Sequence, residues 1–228
     1  MGLVLVILAI GFVLVALPGI WVSRILDTHA RDRDDFHETG AEFARAALNR
    51  LNLSHVKVEV TEQGNHYDPD AKAVRLEPRF MTGRSLSAIV VAAHEVGHAM
   101  QHAMDLPIFS RRIKIAKQAH VVNLIGQGFV WTAPLLLIIG KAALAMVFNV
   151  AGFVITALLS FALQVATLPV EFDASFKRAL PLLERGQFIP AKDMPAARAV
   201  LRAAAFTYVA ALIRSILTIP IFGRGVRP

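Results

Sequence analysis

The chain has 228 residues, 24 Lys and Arg against 17 Asp and Glu, 55% hydrophobic residues, a mean hydropathy of +0.53 and no cysteine. That apolar share exceeds the roughly 45–50% of soluble domains and is concentrated in long blocks, which argues against an ordinary water-soluble enzyme and for an integral membrane protein. Zero cysteine excludes disulfide frameworks, thiol catalysis and Cys-ligated zinc. The net charge of +7 reads, beside such blocks, as attraction to an anionic membrane leaflet, with no nucleic-acid partner expected.

Leu3 to Val22 is an uncharged run of 20 residues, enough at about 1.5 Å per residue to span a hydrocarbon core of roughly 30 Å. The first basic residue, Arg24, follows this run, so residues 1–22 are expected to be a retained transmembrane anchor, not a cleaved signal. Residues 23–120 turn polar and hold 14 of the 24 basic residues, 13 of the 17 acidic ones and all eight histidines. Within them, Thr39 and Glu42 have capping-box spacing ahead of Phe43, Ala44, Ala47, Leu48 and Leu51, which predicts a helix over about 40–52.

Val56–Val60 and Ala73–Glu77 alternate with period two, with turn signals at Gly64-Asn65 and Asp68-Pro69-Asp70 between them; a β-hairpin is expected. Its second strand is expected at an edge, where an extended substrate could add as a further strand. Ser85 offers an N-cap to a helix running to about Met104.

Two further apolar blocks, Val121–Gly140 and Ala142–Pro169, are separated by Lys141 and suggest a tight helical hairpin. Residues 171–195 are charged and amphipathic, with Asp193 expected to cap the next helix. Residues 196–228 hold a fourth, mostly apolar segment carrying Arg202 and Arg214, expected to cross the membrane or pack on protein. The expected organisation is therefore an anchor (1–22), a catalytic region (23–120), a transmembrane hairpin (121–170), a segment on the catalytic side (171–195) and a final apolar helix with tail (196–228). Six basic residues in 171–202 join the 14 in 23–120 on one side, which by the positive-inside rule makes that side cytoplasmic and the protein a multi-pass component of the cell's inner membrane.

His94-Glu95-Val96-Gly97-His98 falls inside the helix capped by Ser85. With eight His and eight Glu in the chain, chance gives this HExxH triple about once in a hundred such sequences. Residues four apart stand on one helix face about 6 Å apart, so His94 and His98 can both reach a Zn2+ ion. Glu95 can act as general base toward a zinc-bound water whose pKa the ion lowers to about 7. The apolar flanks Ala88–Ala93 and Ala99-Met100 argue against a merely solvated pair, because unpaired His and Glu in a buried helix are expensive.

A third ligand is required. His102 continues the series, yet on a straight helix it lies about 12 Å from His94, which makes it a supporting or surface residue. Glu171 is the better candidate, with Asp173 as its rival. On a helix these two point about 200° apart, so one can ligate while the other caps or pairs with Lys177.

Together, His94–Gln101, Asn65–Pro69, Leu168–Ser175 and Leu201–Val209 resemble the YugP-like family of bacterial membrane zinc metallopeptidases over nearly the whole chain. The resemblance implies a neutral zinc peptidase of the gluzincin kind with a zincin-like catalytic region, in which two helix histidines and a glutamate from a later helix, here Glu171, hold the metal. A more distant likeness is to membrane zinc proteases of the CAAX-processing and heat-shock type, where an aspartate follows that glutamate by four residues. This chain has Ser175 there, so either Asp173 or Ser175 is expected to support a ligand histidine.

Peptide hydrolysis also needs a donor for the oxyanion. Tyr208 or Arg202, and alternatively His66 or Tyr67, are the candidates. The expected fold is thus mainly α, a multi-pass membrane protein with a small α+β catalytic region of hairpin and active-site helix. The expected activity is zinc-dependent hydrolysis of a protein or peptide substrate associated with the bilayer. A non-proteolytic zinc-binding membrane scaffold is the alternative, and ion transport is disfavoured because only Arg202 and Arg214 place charge in the apolar blocks.

Overall fold

The computed structural model describes Leu17 and residues 19–217, except for the side chains of 207, 208 and 210–217. Almost all of the expected anchor, the 218–228 tail and the side chains of Tyr208 and Arg214 thus lie outside the described residues. The chain enters through helix α1 (19–28), whose C-terminal end is tied to the later active-site helix by Ser87, which donates from Oγ to the Leu26 carbonyl at 2.7 Å and from its N–H to that of His29 at 3.1 Å.

Helix α2 (Gly40–Arg50) starts at the expected capping box: the Thr39 N–H donates to Glu42 Oε2 at 2.8 Å and the Glu42 N–H to Thr39 Oγ1 at 3.2 Å. Its Phe43, Ala44, Ala47 and Leu48 face fills the core beside the active-site helix.

The sheet departs from the expected hairpin. Strand β1 (Lys57–Val60) runs parallel to β3 (Ala73–Leu76), pairing Lys57 with Ala73 and Val60 with Leu76. An intervening strand, β2 (His66–Asp68), lies antiparallel on the other side of β3, giving the order β1-β3-β2. The twelve residues between the two predicted strands exceed what a tight hairpin uses, and they contain this third strand. The true hairpin is β2–β3, with a turn fixed by Asp68 Oδ1, which accepts from the N–H groups of Asp70 and Ala71. The strand expected at an edge is therefore the centre, and Arg75 on it bridges outward to Asp68 at 2.6 Å and to Glu59 at 3.2 Å.

After the short helix α3 (Pro78–Met81), Ser85 caps helix α4 (Leu86–Ala103) by accepting from the Ala88 N–H at 3.2 Å. Helix α4 is buried over nearly its whole length and is the axis of the core; α2, the sheet and the segments after residue 172 all pack on it.

Helices α5 (Pro107–Ile138) and α6 (Ala142–Phe172) form the expected hairpin, turning at Gly140 with φ of 75°. A Cβ on Gly152 would lie 2.6 Å from the Gly126 carbonyl, so the two backbones touch where both residues are glycine. Both helices are long and apolar enough to cross a membrane. Their outer surface carries large apolar side chains that no described residue covers, among them Trp131 at 75% and Ile138 at 81% exposure.

The chain then widens into a π-helical segment (Asp173–Ala179), continues as α7 (Leu180–Gly186), and passes through a 3-10 turn (Ala191–Asp193) into α8 (Met194–Leu217). Pro181 explains the widening: it has no N–H to give the preceding turn and its ring crowds the carbonyl four residues back, whereas the five-residue step, Leu180 N–H to Ser175 carbonyl, relieves that crowding. Asp193 does precede α8, but its carboxylate holds the Arg33 guanidinium through two bonds of 2.9 Å. The fourth segment begins packed on protein, with Ala197, Val200, Leu201, Ala203 and Ala205 buried.

Candidate metal centre

His94 and His98 lie one turn apart on α4 with ring centroids 4.8 Å apart, and Glu171 arrives from the last turn of α6. One ligand atom from each of the three falls within 4.8 Å of the others, and all three residues are buried. Glu171 Oε2 stands 3.1 Å from His94 Nε2 and 3.3 Å from His98 Nε2. A tetrahedral ion bonded at about 2.0–2.1 Å separates its ligand atoms by about 3.3 Å, so these spacings match two edges of such a site.

The approach of α6 to α4 depends on Gly97. A Cβ there would sit 2.7 Å from the Ala174 carbonyl, inside contact distance, so the small residue between the histidines lets the π-helical segment lie against the helix. Glu171 and Ser175, four residues apart, then reach opposite nitrogens of the same ring: Ser175 Oγ is 3.0 Å from His94 Nδ1. Of the two residues expected to support a ligand histidine, Ser175 touches His94 directly.

Asp173 acts at one remove. Its carboxylate accepts from Gln101 Nε2 at 2.9 Å and from Arg178 Nε at 3.2 Å, with Lys177 at 3.9 Å. Gln101, fully buried, also donates to the Val170 carbonyl at 2.8 Å, and its Oε1 faces His98 Nδ1 at 2.9 Å. Sequence reasoning missed Gln101; its only signal was an amide three residues after His98, on the helix face that carries both histidines.

This network fixes the chemistry of the cluster. Because both amide protons of Gln101 are committed, its oxygen must face the ring, and His98 Nδ1 must carry a proton to donate to it. A neutral His98 then presents a bare Nε2 lone pair to a carboxylate oxygen 3.3 Å away, two acceptors facing each other with a cation required between them. Burial alone would lower the His98 pKa, but the Glu171 carboxylate outweighs it and pushes the imidazole up to about 9, the same demand for positive charge met by a proton. The donor set, two imidazoles and a carboxylate with supported outer nitrogens, suits Zn2+.

Glu95 is buried beside the cluster, and among the described residues no hydrogen bond engages its carboxylate. Burial raises its pKa, while His94, His98 and His66 pull it back. His66 lies in β2, with Nδ1 donating to the Gly64 carbonyl at 2.8 Å. Tyr67, next in β2, meets His102 Nδ1 at 2.9 Å, and burial pushes its phenol up to about 12. His102 is thus engaged with Tyr67 and stays out of the metal cluster. Arg202 is exposed on α8, with no hydrogen bond or ion pair to the cluster. An open cleft of about 830 Å³, lined by Phe36, Arg50, Phe188 and Met194, is touched by none of the cluster residues.

Residues 4–222 match a family model described as "Putative neutral zinc metallopeptidase". The chain is also 39% identical over 180 residues, 78% of its own length and 76% of the relative's, to a Bacillus subtilis (strain 168) protein named "Putative membrane protease YugP". No solved structure matches.

Proposed function

The chain belongs to the neutral zinc metallopeptidase family, and from that premise we propose that it is a membrane-embedded zinc peptidase hydrolysing peptide bonds of membrane-associated protein substrates. The observation that carries this is the convergence of His94, His98 and Glu171, buried and spaced for one tetrahedral ion, beside a Glu95 whose carboxylate has no hydrogen bond among the described residues.

In this reading His94 Nε2, His98 Nε2 and Glu171 Oε2 hold the ion, while Ser175 and Gln101 fix the two rings from their outer nitrogens. Bound zinc would supply Lewis acidity and lower the pKa of water to about 7. Glu95 accepts the proton from attacking water and delivers it to the leaving amine; its burial, by raising its pKa, makes it a better proton acceptor than an exposed glutamate. His66, close enough to act on Glu95, would offer Nε2–H to the developing oxyanion when protonated at both nitrogens. Tyr208 remains the second candidate for that role.

The reading assigns catalysis to residues 23–120 with 171–195, held at the cytoplasmic face of the inner membrane by the 121–170 hairpin and the two terminal segments. Replacing Glu95 by Gln tests it. The variant is expected to retain zinc at the parent stoichiometry while losing hydrolysis of a membrane-protein substrate by at least a hundredfold. Full activity in that variant would overturn the assignment.

A further inference from the structure

The α5–α6 hairpin has two distinct ends. At its foot, Phe109 sits 6.2 Å from the His98 ring and 5.5 Å from that of His102, so α5 departs from the metal centre itself. From Val121 to Gly140 the chain carries no charge, a stretch of about 30 Å that fits the hydrocarbon thickness. Between foot and apolar stretch lie Arg111, Arg112, Lys114 and Lys117, with no acidic residue among them.

Arg111, Lys114 and Lys117 are exposed and fall within about 120° of one another around the helix. Among the described residues, only Lys117 meets a carboxylate, Asp70 at 3.1 Å. Arg112 is half-buried, and its Nε is fully enclosed with no hydrogen-bond partner among the described residues. Arg111 and Lys114, which meet no carboxylate among the described residues, and the outer nitrogens of the half-buried Arg112 guanidinium are suited to an anionic oxygen from outside the chain. The direct continuation into the apolar stretch identifies its source: phospholipid phosphate at the bilayer surface, not an acidic protein.

We propose that the first three turns of α5 form a cationic collar that binds the phosphates of anionic phospholipids, and that this contact holds the metal centre outside the hydrocarbon, about 18 Å from its boundary, given the twelve residues from Phe109 to Val121. Substrates would then be cut in juxtamembrane segments, at least about five extended residues from the bilayer core. The inference rests on the reading that α5 and α6 cross a bilayer, and not on catalysis.

The full-length protein in detergent, titrated by native mass spectrometry, should retain phosphatidylglycerol over phosphatidylcholine. The combined Arg111→Gln, Arg112→Gln and Lys114→Gln variant should bind phosphatidylglycerol on the order of one hundredfold more weakly, each basic residue near an anionic surface contributing about fivefold. The charge-keeping Arg111→Lys, Arg112→Lys variant should retain most of the preference, separating charge loss from misfolding. Equal retention of both lipids by the parent, or an unchanged preference in the neutralised variant, overturns the proposal.

The absence of native cysteine gives a second readout on an otherwise unaltered chain. In phosphatidylglycerol nanodiscs, Gln118→Cys should react with a water-soluble maleimide and Ile125→Cys should not; equal shielding of the two overturns the depth assignment. Both readouts are independent of proteolysis, so a chain that binds lipid as expected but cleaves nothing would refute the peptidase reading alone.

Discussion

Gln101→Leu removes one buried amide while nearly conserving volume. The native amide accepts from His98 Nδ1 and donates to the Val170 carbonyl and to Asp173. Val170 keeps a second donor in the Asp173 N–H, and Asp173 keeps Arg178, so the main orphan is the His98 N–H. An unsatisfied buried donor costs about 1–3 kcal/mol, which is the expected loss of stability in thermal or denaturant unfolding. Losing the outer hydrogen bond of a ligand histidine typically weakens metal binding 10–100-fold, to be read in a competition titration against a chelator of known affinity. Gln101→Glu provides the control: it keeps an acceptor for His98 but sets a second carboxylate against Asp173, so it should hold zinc better than the leucine variant while losing stability. Zinc affinity in Gln101→Leu within about twofold of the parent, under conditions where Glu171→Gln is clearly weakened, would refute the orienting role.

Gly97→Ala forces a methyl to within 2.7 Å of the Ala174 carbonyl, and should cost about 1–3 kcal/mol in unfolding free energy and weaken zinc binding as α6 is pushed off α4. Ser175→Ala, which removes the hydroxyl partner of His94 Nδ1, should lower zinc affinity about 10–100-fold with a smaller effect on melting than Gln101→Leu. The Arg33 guanidinium holds the Asp35 carboxyl down at about 2. A depressed acid stabilises the fold above its unfolded pKa of about 4 and loses that contribution as pH falls toward 2. The melting difference between the parent and Asp35→Asn should therefore be constant above about pH 5 and shrink steadily below pH 4, and it should be small because the pair is exposed. A difference that grows on acidification would contradict this.

What could be read without coordinates was local. Thr39 with Glu42, and Ser85 ahead of an apolar run, mark helix starts because capping bonds involve residues only three apart. The spacing of His94 and His98 puts both rings on one helix face for the same reason. The strand signals at Val56–Val60 and Ala73–Glu77 were correctly located but wrongly paired, since alternation reports which side of a strand is buried and says nothing of its neighbour's direction. His66-Tyr67-Asp68, three residues long, is too short for any periodic signal, so the sequence does not mark β2 as a strand. Gln101 could not be read because Val170 and Asp173, to which it donates, are about seventy residues away and meet it only through the packing of α6 on α4.

The two ends of the metal cluster are far apart along the chain. His94 and Glu171 are separated by 77 residues, and that stretch contains the entire α5–α6 hairpin. An ion bridging them would act as a removable cross-link, closing the hairpin into a ring at its base. Because such an ion would bind the folded pairing and not the unfolded chain, its stabilisation would follow its occupancy, about 2.7 kcal/mol at one hundred times its dissociation constant. Metal loading would thus secure the α5–α6 hairpin as well as the candidate site. A chelator should open the base of the hairpin while leaving its glycine-packed crossing at Gly126 and Gly152 together.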